Sequence, residues 1–462
     1  MSVDVDLEGL TGQVKGPVLR PGDEGYDEER SGFQAGFRHE PSVIVGATCA
    51  DDVRAAVRFA AGLDLPVAVH STGHGIVTAL RGEGVLISTH RMTGLELDAE
   101  ARTVRVEAGV RWEQVIKAAA PHGLAPLNGS APHVGVVGYL LGGGTGLMGR
   151  EFGYASDLVR SLDVVTPDGT LRHVTAESDP DLFFALRGGG GAFGVVTAVE
   201  TELVPVARFY GGGLYFEADD PVELLRAYHE WTLTVPEQLT SSIGLMGYPP
   251  APAFPEPLRG KYVAHVRFVF NGSAEDGERL VEPLRALGPR LIDSVREMPY
   301  EEAGSVYHDP AFSHAYFGGN VLLRELDPIA LQTLIDLAGP GTPVPCIIDI
   351  RHLGGALSRP PAHPSAVGGR SAQYVLRLMT GGMAAPPEAA RPVHQRVYDA
   401  LKQWTVGRSL NFVYNDGTPV SESQVRDLFE PETYARLQSL KSTVDPQNLF
   451  RHTHNIPLSP TT

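Results

Sequence analysis

Val69-His70-Ser71-Thr72-Gly73-His74-Gly75 is the stretch around which the sequence is organised. A strand-like run of residues 65–69 leads into a short turn of serine, threonine and glycine that presents His74. Such a turn exposes successive backbone N–H groups, which suit the oxygens of a pyrophosphate. Taken alone, His74 is better explained as a histidine that caps a surface turn. Its interpretation therefore depends on a second segment.

That second segment, residues 129–157, is dense in glycine. Its centre, Gly135-Val136-Val137-Gly138-Tyr139-Leu140-Leu141-Gly142-Gly143-Gly144-Thr145-Gly146, places six glycines in twelve positions. This density is too high for an ordinary strand or helix, and it predicts backbone in close approach to a flat, bulky ligand.

Together the two segments resemble those of the vanillyl-alcohol oxidase and p-cresol methylhydroxylase flavoproteins, specifically the berberine-bridge-enzyme-like branch. In that family a Ser-Gly-Gly-His turn binds the FAD phosphates, and its histidine is bonded covalently to the 8α-methyl of the flavin. Ser71-Thr72-Gly73-His74 matches this turn, and we call these four residues the phosphate turn. The resemblance continues through Asn448-Leu449-Phe450 and His454-Asn455-Ile456-Pro457, which look like the family's closing segment. It therefore implies FAD with a covalent bond to His74.

The same resemblance implies further FAD contacts. They fall in the phosphate turn, in the glycine segment, at the start of a later strand and in the closing segment: Ser71, Thr72, Gly73, Gly75, Pro132, Val134, Gly135, Gly138, Gly142, Gly143, Asp157, Gly194, Val195, Val196 and Asn455.

Two positions refine the expected chemistry. Ala131 stands where members with two covalent bonds carry a cysteine, which implies a single attachment. Val134 stands where the family places a side chain beside flavin C4a, and a small residue there leaves room for O2. That favours an oxidase over a dehydrogenase. His133 either faces the substrate or has a structural role in the turn, and the sequence does not decide between them.

Composition limits the other classes of function. The 462 residues carry a net charge of −17 and no basic run, so nucleic acid and anionic membranes are poor partners. Two cysteines, Cys49 and Cys346, exclude a disulfide scaffold, and no cluster of Cys and His has zinc spacing, so no metal is expected. The acidic residues 1–6 lack an apolar signal core, and no apolar run approaches about 18 residues. We expect a cytoplasmic protein, either monomer or homodimer.

The order of predicted elements indicates an α+β fold. The resemblance implies that residues 1–206 form a two-part FAD-binding domain of the p-cresol methylhydroxylase type, and the residue pattern predicts a β-α-β unit within it that ends at His70. Longer strand candidates with helical spacers in residues 207–412 predict an α+β substrate-binding domain with a large antiparallel sheet. Residues 413–462 are a C-terminal segment that returns to the FAD-binding domain.

The expected catalytic base is replaced in this sequence. Many relatives carry Tyr-x-Asn on a strand that faces the flavin, and the tyrosine serves as a base or hydrogen-bond partner. Here the match is Ser409-Leu410-Asn411, which keeps Asn411 but has Ser409 in place of the tyrosine. Serine is a weak acid, and no neighbour in the sequence activates it.

Strand parity offers replacements, since alternate residues share a face of a sheet. Asp349 and Arg351 share a face in residues 346–353, as do His265 and Arg267 in residues 262–270. These faces either line a cavity or are exposed to solvent, in which case Asp349 and Arg351 form an ion pair. In a cavity, Asp349 acts as the base if desolvation raises its pKa against the opposition of Arg351. His265 competes, because imidazole titrates near neutrality. Tyr374 and Tyr414 are further donors.

These features predict a covalent-FAD oxidase. It takes hydride from a C–H next to oxygen or nitrogen of a small organic substrate, with O2 as electron acceptor and H2O2 as product. Loss of the tyrosine favours natural-product tailoring, while an oligosaccharide or an aromatic alcohol also fits. Ser409 keeps two other classes open: a cyclase or isomerase without net redox turnover, and a degenerate flavin-binding protein.

Overall fold

The computed structural model describes residues 7–415 and 417–459. The acidic residues 1–6, on which the prediction of a missing signal core rests, lie outside the described residues. Within the described part of the chain, the strands form three sheets, two in the N-terminal half and one in the C-terminal half.

The first sheet positions the phosphate turn. Its strands run in the order β1-β2-β4-β3, and β2, β4 and β3 are parallel. Helix α3 connects β2 to β3 and buries Val53, Val57 and Ala60 against the sheet. Strand β3 ends at His70, so the turn begins at the carboxyl edge of a parallel sheet. The elements are α1 Glu8–Thr11, β1 Val18–Leu19, α2 Tyr26–Glu29, β2 Val43–Gly46, α3 Ala50–Gly62, β3 Val67–His70 and β4 Val85–Ser88.

The second sheet is antiparallel, in the order β5-β6-β9-β7-β8. Its elements are β5 Leu95–Asp98, β6 Thr103–Glu107, α4 Trp112–Ala119, α5 Val136–Leu141, α6 Gly149–Phe152, β7 Val159–Val165, β8 Leu171–Val174, α7 Pro180–Ala185 and β9 Val195–Glu202. Helix α5 lies inside the glycine segment, so the expectation that glycine density excludes a helix there is wrong. Val136, Val137 and Leu140 are buried and supply the apolar face that holds this short helix.

The third sheet is large and antiparallel, in the order β13-β10-β12-β11-β16-β17-β15-β18, with β14 also paired to β10. Its strands are β10 Arg208–Glu217, β11 Leu239–Gly247, β12 Tyr262–Phe270, β13 Ile292–Asp293, β14 Arg296–Pro299, β15 Tyr316–Leu323, β16 Ile347–His352, β17 Tyr374–Gly381 and β18 Thr405–Gly407. The helices are α8 Pro221–Thr232, α9 Ala274–Arg285, α10 Pro328–Ala338, α11 Pro387–Ala400, α12 Glu422–Arg426 and α13 Pro431–Val444.

The two faces of this sheet differ. Ile348, Ile350 and Leu376 share a core with residues of helices α8 and α10. The opposite face meets the N-terminal half, where Arg351 reaches Ser130. The α+β fold with a two-part N-terminal half and a large antiparallel sheet is confirmed.

The C-terminal segment packs against the N-terminal half. The Nζ of Lys441 donates to the backbone oxygen of Ala192 (2.7 Å) and to the carboxylate of Asp445 (2.6 Å), and both side chains are fully buried. Leu449 accepts a backbone hydrogen bond from Val67 on β3. The domain boundaries at residues 206 and 412 stay predictions. Among the described residues, none of the helices combines the length and apolar character needed to cross a membrane.

Candidate active site

The phosphate turn is built around a close backbone contact. Gly73 has a φ of +68°, and a Cβ there would overlap the Cα of Gly32. The segment that includes Gly32 runs along the turn, because Phe33 N–H donates to Thr72 O (2.9 Å) and Gln34 N–H donates to Gly73 O (3.1 Å). Only glycine combines this left-handed conformation with so near a neighbour.

His74 is held as a neutral imidazole. Its ring stacks on Phe33 with the centroids 3.9 Å apart. The Nδ1 atom lies 2.8 Å from Thr72 Oγ1, while Nε2 is buried and has no hydrogen-bond partner. Burial, with smaller repulsion from His133 and Arg111, lowers the pKa of His74 to about 3. One ring nitrogen is therefore oriented by Thr72, and the other carries an unused lone pair or proton.

The two segments singled out in the sequence lie side by side. A Cβ built on Gly135, at the start of α5, would lie 3.5–3.7 Å from the side chains of Thr72 and Ser71. A cavity of about 610 Å³ opens beside this junction. Its lining includes Ser71, Thr72, His74 and His133, together with the cationic side chains of Arg91 and Arg111.

The residues around this junction fit FAD. Among the described residues, Ser71 Oγ and His74 Nε2 in the turn and Asn455 Oδ1 in the C-terminal segment are buried polar atoms without partners, as expected of groups that meet a ligand. No atom lies within 4 Å of the position that a Cβ would take on Gly75 or Gly138, which leaves room at both backbones.

Other predicted cofactor residues have structural contacts. The backbone oxygens of Pro132 and Val134 accept from the first N–H groups of α4. Asp157 forms a bidentate ion pair with Arg370 (2.7 and 3.0 Å), so its carboxylate is engaged by the C-terminal half of the chain. Gly194 directly precedes β9, and Val195 and Val196 begin it; both valines are buried in hydrophobic cores. Gly143 lies against Val367.

Asn411 lies on a short 3₁₀ turn, Leu410–Phe412, and Ser409 directly precedes it, so the strand that the resemblance implies here is not formed. The amide of Asn411 donates to Tyr139 O on α5 (2.9 Å), while its Oδ1 is buried without a partner. The buried side chain of Asn320 bonds both the N–H and the C=O of Ser409 (2.7 and 2.9 Å). These contacts fix the turn against the glycine segment.

The parity prediction holds for the large sheet. Asp349, Arg351, His265 and Arg267 share the face that meets the N-terminal half, and all four are buried. The alternative of a solvated sheet face is therefore wrong.

Asp349 is surrounded by guanidinium groups. It accepts hydrogen bonds from Arg267, Arg351 (3.0 Å) and Arg377 (2.8 Å). Burial favours the protonated form, but attraction to the three cations outweighs it and lowers the pKa of Asp349 below its usual range. The expected rise in its pKa is wrong, and a carboxylate held this way is a poor proton acceptor.

His265 is the other base candidate on this face. Its ring stacks on Tyr215 with the centroids 3.7 Å apart, and Nε2 is buried without a partner. Burial and repulsion from Arg267 lower the pKa of His265 well below its ordinary value. The imidazole is therefore neutral at neutral pH and is a weak base.

Several neighbours were not predicted. Arg377 could have been found as the lone charge in the apolar strand run Val375-Leu376-Arg377-Leu378. Tyr414, named only as a further donor, lies with its hydroxyl 3.2 Å from Arg377 Nη2. Tyr316 packs edge-on against Tyr414 and donates to the backbone oxygen of His74 (2.8 Å). Only the chain fold brings these tyrosines together. Tyr374 instead bonds His229 and Thr232 of helix α8.

Metal ligation has no evident site. Among the described residues, no group of three or more His, Cys, Asp or Glu side chains is arranged to hold a metal ion.

Comparison with known families gives two matches. Residues 41–175 match the FAD binding domain, and residues 417–457 match the family described as berberine and berberine like.

Curated relatives match along nearly the whole chain. One is (R)-6-hydroxynicotine oxidase from Paenarthrobacter nicotinovorans, which is 28% identical over 96% of this chain and 97% of that protein. Another is an FAD-linked oxidoreductase from Dictyostelium discoideum, which is 25% identical over 96% of this chain and 95% of that protein.

Solved structures share the fold. Xylooligosaccharide oxidase from Myceliophthora thermophila C1 superposes with a TM-score of 0.84 at 21% identity, covering 98% of this chain and 99% of that one. 6-Hydroxy-D-nicotine oxidase from Arthrobacter nicotinovorans superposes with a TM-score of 0.81 at 24% identity, covering 97% and 98%.

Proposed function

Because this chain belongs to the berberine-bridge-enzyme-like FAD-linked oxidoreductases, we propose that it is an oxidase whose FAD is bonded covalently to His74. Its substrate is a small organic molecule that loses hydride from a C–H next to oxygen or nitrogen. Oxygen is the electron acceptor, and hydrogen peroxide is the product.

The state of His74 carries this proposal. Bonding to the flavin 8α-methyl requires a ring nitrogen with a free lone pair, and a protonated imidazole has none. His74 is neutral, and its Nε2 has no partner among the residues that the structure describes. The ring also belongs to the same turn as Ser71, which lies beside Gly135 and whose Oγ is likewise buried without a partner among the described residues.

The division of labour follows from the site. FAD supplies the two-electron chemistry, and the protein supplies position and a proton acceptor. Asp349 is committed to three arginines. We therefore assign proton transfer to His265 on the same sheet face: it is a weak base, but it is neutral and its buried Nε2 has no hydrogen-bond partner among the described residues. Serine at position 409, in place of tyrosine, favours tailoring of a natural product.

Attachment is tested on denatured protein. Acid-precipitated wild type should give a yellow pellet, whereas His74→Ala should release its flavin to the supernatant. His133→Ala is the matched control, because its ring centroid lies 5.0 Å from that of His74, and it should keep the colour in the pellet. A colourless wild-type pellet would refute covalent attachment.

The oxidase activity is tested by peroxide release in air. The panel comprises a hydroxylated N-heterocycle, an aromatic alcohol and an oligosaccharide. Flavin that bleaches anaerobically with a panel member and recovers on admission of air, with peroxide formed, supports the proposal. Bleached flavin that stays reduced in air contradicts it.

A further inference from the structure

We propose that the substrate carries a carboxylate, which binds among the guanidinium groups of Arg267, Arg351 and Arg377. This inference deepens the proposed function and rests on it for identifying this sheet face as the substrate side. We call Asp349 and these three arginines the arginine cluster.

The charge of the cluster is unbalanced. Arg267, Arg351 and Arg377 are 8%, 8% and 9% exposed, and the single carboxylate among them, Asp349, is 3% exposed. Among the described residues, one negative charge shared by three positive charges leaves an excess of two positive charges. Buried charges are normally paired, because an unpaired charge in a low-dielectric interior is costly. A cluster that served only to join two halves of the fold would not need this excess.

The remaining neighbours of the cluster are mainly aromatic. The Arg267 and Arg351 guanidiniums lie over the Tyr307 ring, with the central carbons 4.4 and 4.9 Å from its centroid. That of Arg377 lies 4.3 Å from the Phe412 centroid. Aromatic faces attract cations but do not neutralise them. Asp309 adds attraction to Arg267 and Arg351, but it lies on the exposed surface.

Donor groups in the cluster are unused. Within the described part of the chain, the Nε atoms of Arg267 and Arg377 are buried and have no hydrogen-bond partner. Arg351 Nη2 has only a 3.5 Å contact with Ser130 Oγ. A guanidinium presents its N–H groups in a planar fork that matches the two oxygens of a carboxylate. These donors therefore suit a planar anion better than a neutral alcohol.

The cluster lies opposite the glycine segment. Ser130 belongs to that segment, and Phe412 follows Asn411, whose amide bonds Tyr139 on α5. A carboxylate bound here lies between the large sheet and the backbone assigned to the cofactor. The cationic cluster is also local, since the whole chain carries a net charge of −17.

The test compares phenylacetate with phenylacetamide by calorimetry on the holoenzyme at pH 7. The two probes share size and ring, so the difference isolates the negative charge. We expect phenylacetate to bind at least about tenfold more tightly than the amide. Arg351→Gln should weaken the binding of phenylacetate by about 10- to 100-fold, the usual contribution of a hydrogen bond to a charged group. The control Arg208→Gln, an exposed arginine of β10 paired with Glu297, should change neither affinity.

A second variant guards against simple loss of folding. Asp349→Asn removes the competing carboxylate, so it should tighten phenylacetate binding and leave phenylacetamide unchanged. Equal affinities for the two probes in wild type, no measurable binding of phenylacetate, or weaker phenylacetate binding in Asp349→Asn would overturn the inference. The measurement is of binding and does not require turnover. A wild-type protein that lacks flavin but still binds phenylacetate more tightly than phenylacetamide therefore refutes only the proposed function. A yellow, oxygen-reactive wild type without that preference refutes this inference alone.

Discussion

His265 illustrates how neighbours set the chemistry of a single side chain. Its burial and the nearby cation of Arg267 hold the pKa of the imidazole well below its ordinary value. The neutral form, which is the form able to accept a proton, therefore persists when the pH falls below the usual titration range of histidine. Asp349 also has a lowered pKa, but for a carboxylate this means a permanent anion held by its cations.

We therefore predict that His265→Gln slows anaerobic flavin reduction by about 10²- to 10⁴-fold, the usual contribution of a general base. Ser409→Ala should slow it far less. The wild-type rate of reduction should be flat from pH 8 to pH 6, because His265 stays neutral across that window. Stopped-flow absorbance with a substrate that bleaches the wild type measures both effects. A rate that halves near pH 6.5, or a near-normal His265→Gln beside an inactive Ser409→Ala, would assign the proton to another group.

At the scale of elements, helix α5 and the 3₁₀ turn Leu410–Phe412 are locked together through one glycine. A Cβ on Gly142 would overlap the side-chain amide of Asn411, which bonds Tyr139 O. The conformation of Gly142 itself, with φ −91° and ψ 4°, does not demand glycine. Steric contact across the interface is therefore the reason for glycine here.

Gly142→Ala should consequently separate the two elements. We expect it to reduce the free energy of unfolding by about 1–3 kcal/mol through overpacking and the lost hydrogen bond. Gly138→Ala, one turn earlier within helix α5, is the control, because its added methyl meets nothing within 4 Å. Urea denaturation of both variants measures the difference. Equal urea midpoints for the two variants would show that the 3₁₀ turn moves to accommodate the methyl group with no loss in the free energy of unfolding.

For the whole molecule, buried histidines link stability to pH. The pKa of five buried histidines lies below the ordinary 6.5, and burial is the largest cause of each shift. The pKa is about 3 for His39 and His352, and about 4 for His70, His394 and His454. Between pH 6.5 and pH 4 the unfolded chain binds protons that the folded chain does not. Stability therefore falls as the pH falls through this window, by up to about 1.4 kcal/mol per pH unit for each histidine.

The urea midpoint of unfolding should accordingly be clearly lower at pH 5.5 than at pH 7.5. His394→Gln should reduce the number of protons taken up on unfolding by about one, and so reduce the slope of stability against pH. This holds whatever the variant does to stability at pH 7.5. His122→Gln, at an exposed position, should leave the slope unchanged. A wild-type midpoint that is the same at both pH values would mean that these histidines are accessible to protons in the folded state.

The sequence by itself determined the features that depend on local spacing. The turn at His74, the glycine segment and the alternation of charged and apolar residues around Asp349 follow from neighbouring positions, because strand parity and turn chemistry act over a few residues. They were enough to predict the α+β architecture and the FAD family.

Only the tertiary structure decided which charges and rings meet. Arg267, Asp349 and Arg377 come from three strands, and Tyr316 and Tyr414 meet across a long chain separation. The direction of a pKa shift depends on the sum of desolvation and all nearby charges, and that sum cannot be read from one strand. For this reason the sequence suggested that Asp349 has a raised pKa and acts as a base. In the folded chain three arginines lower its pKa and keep it ionised.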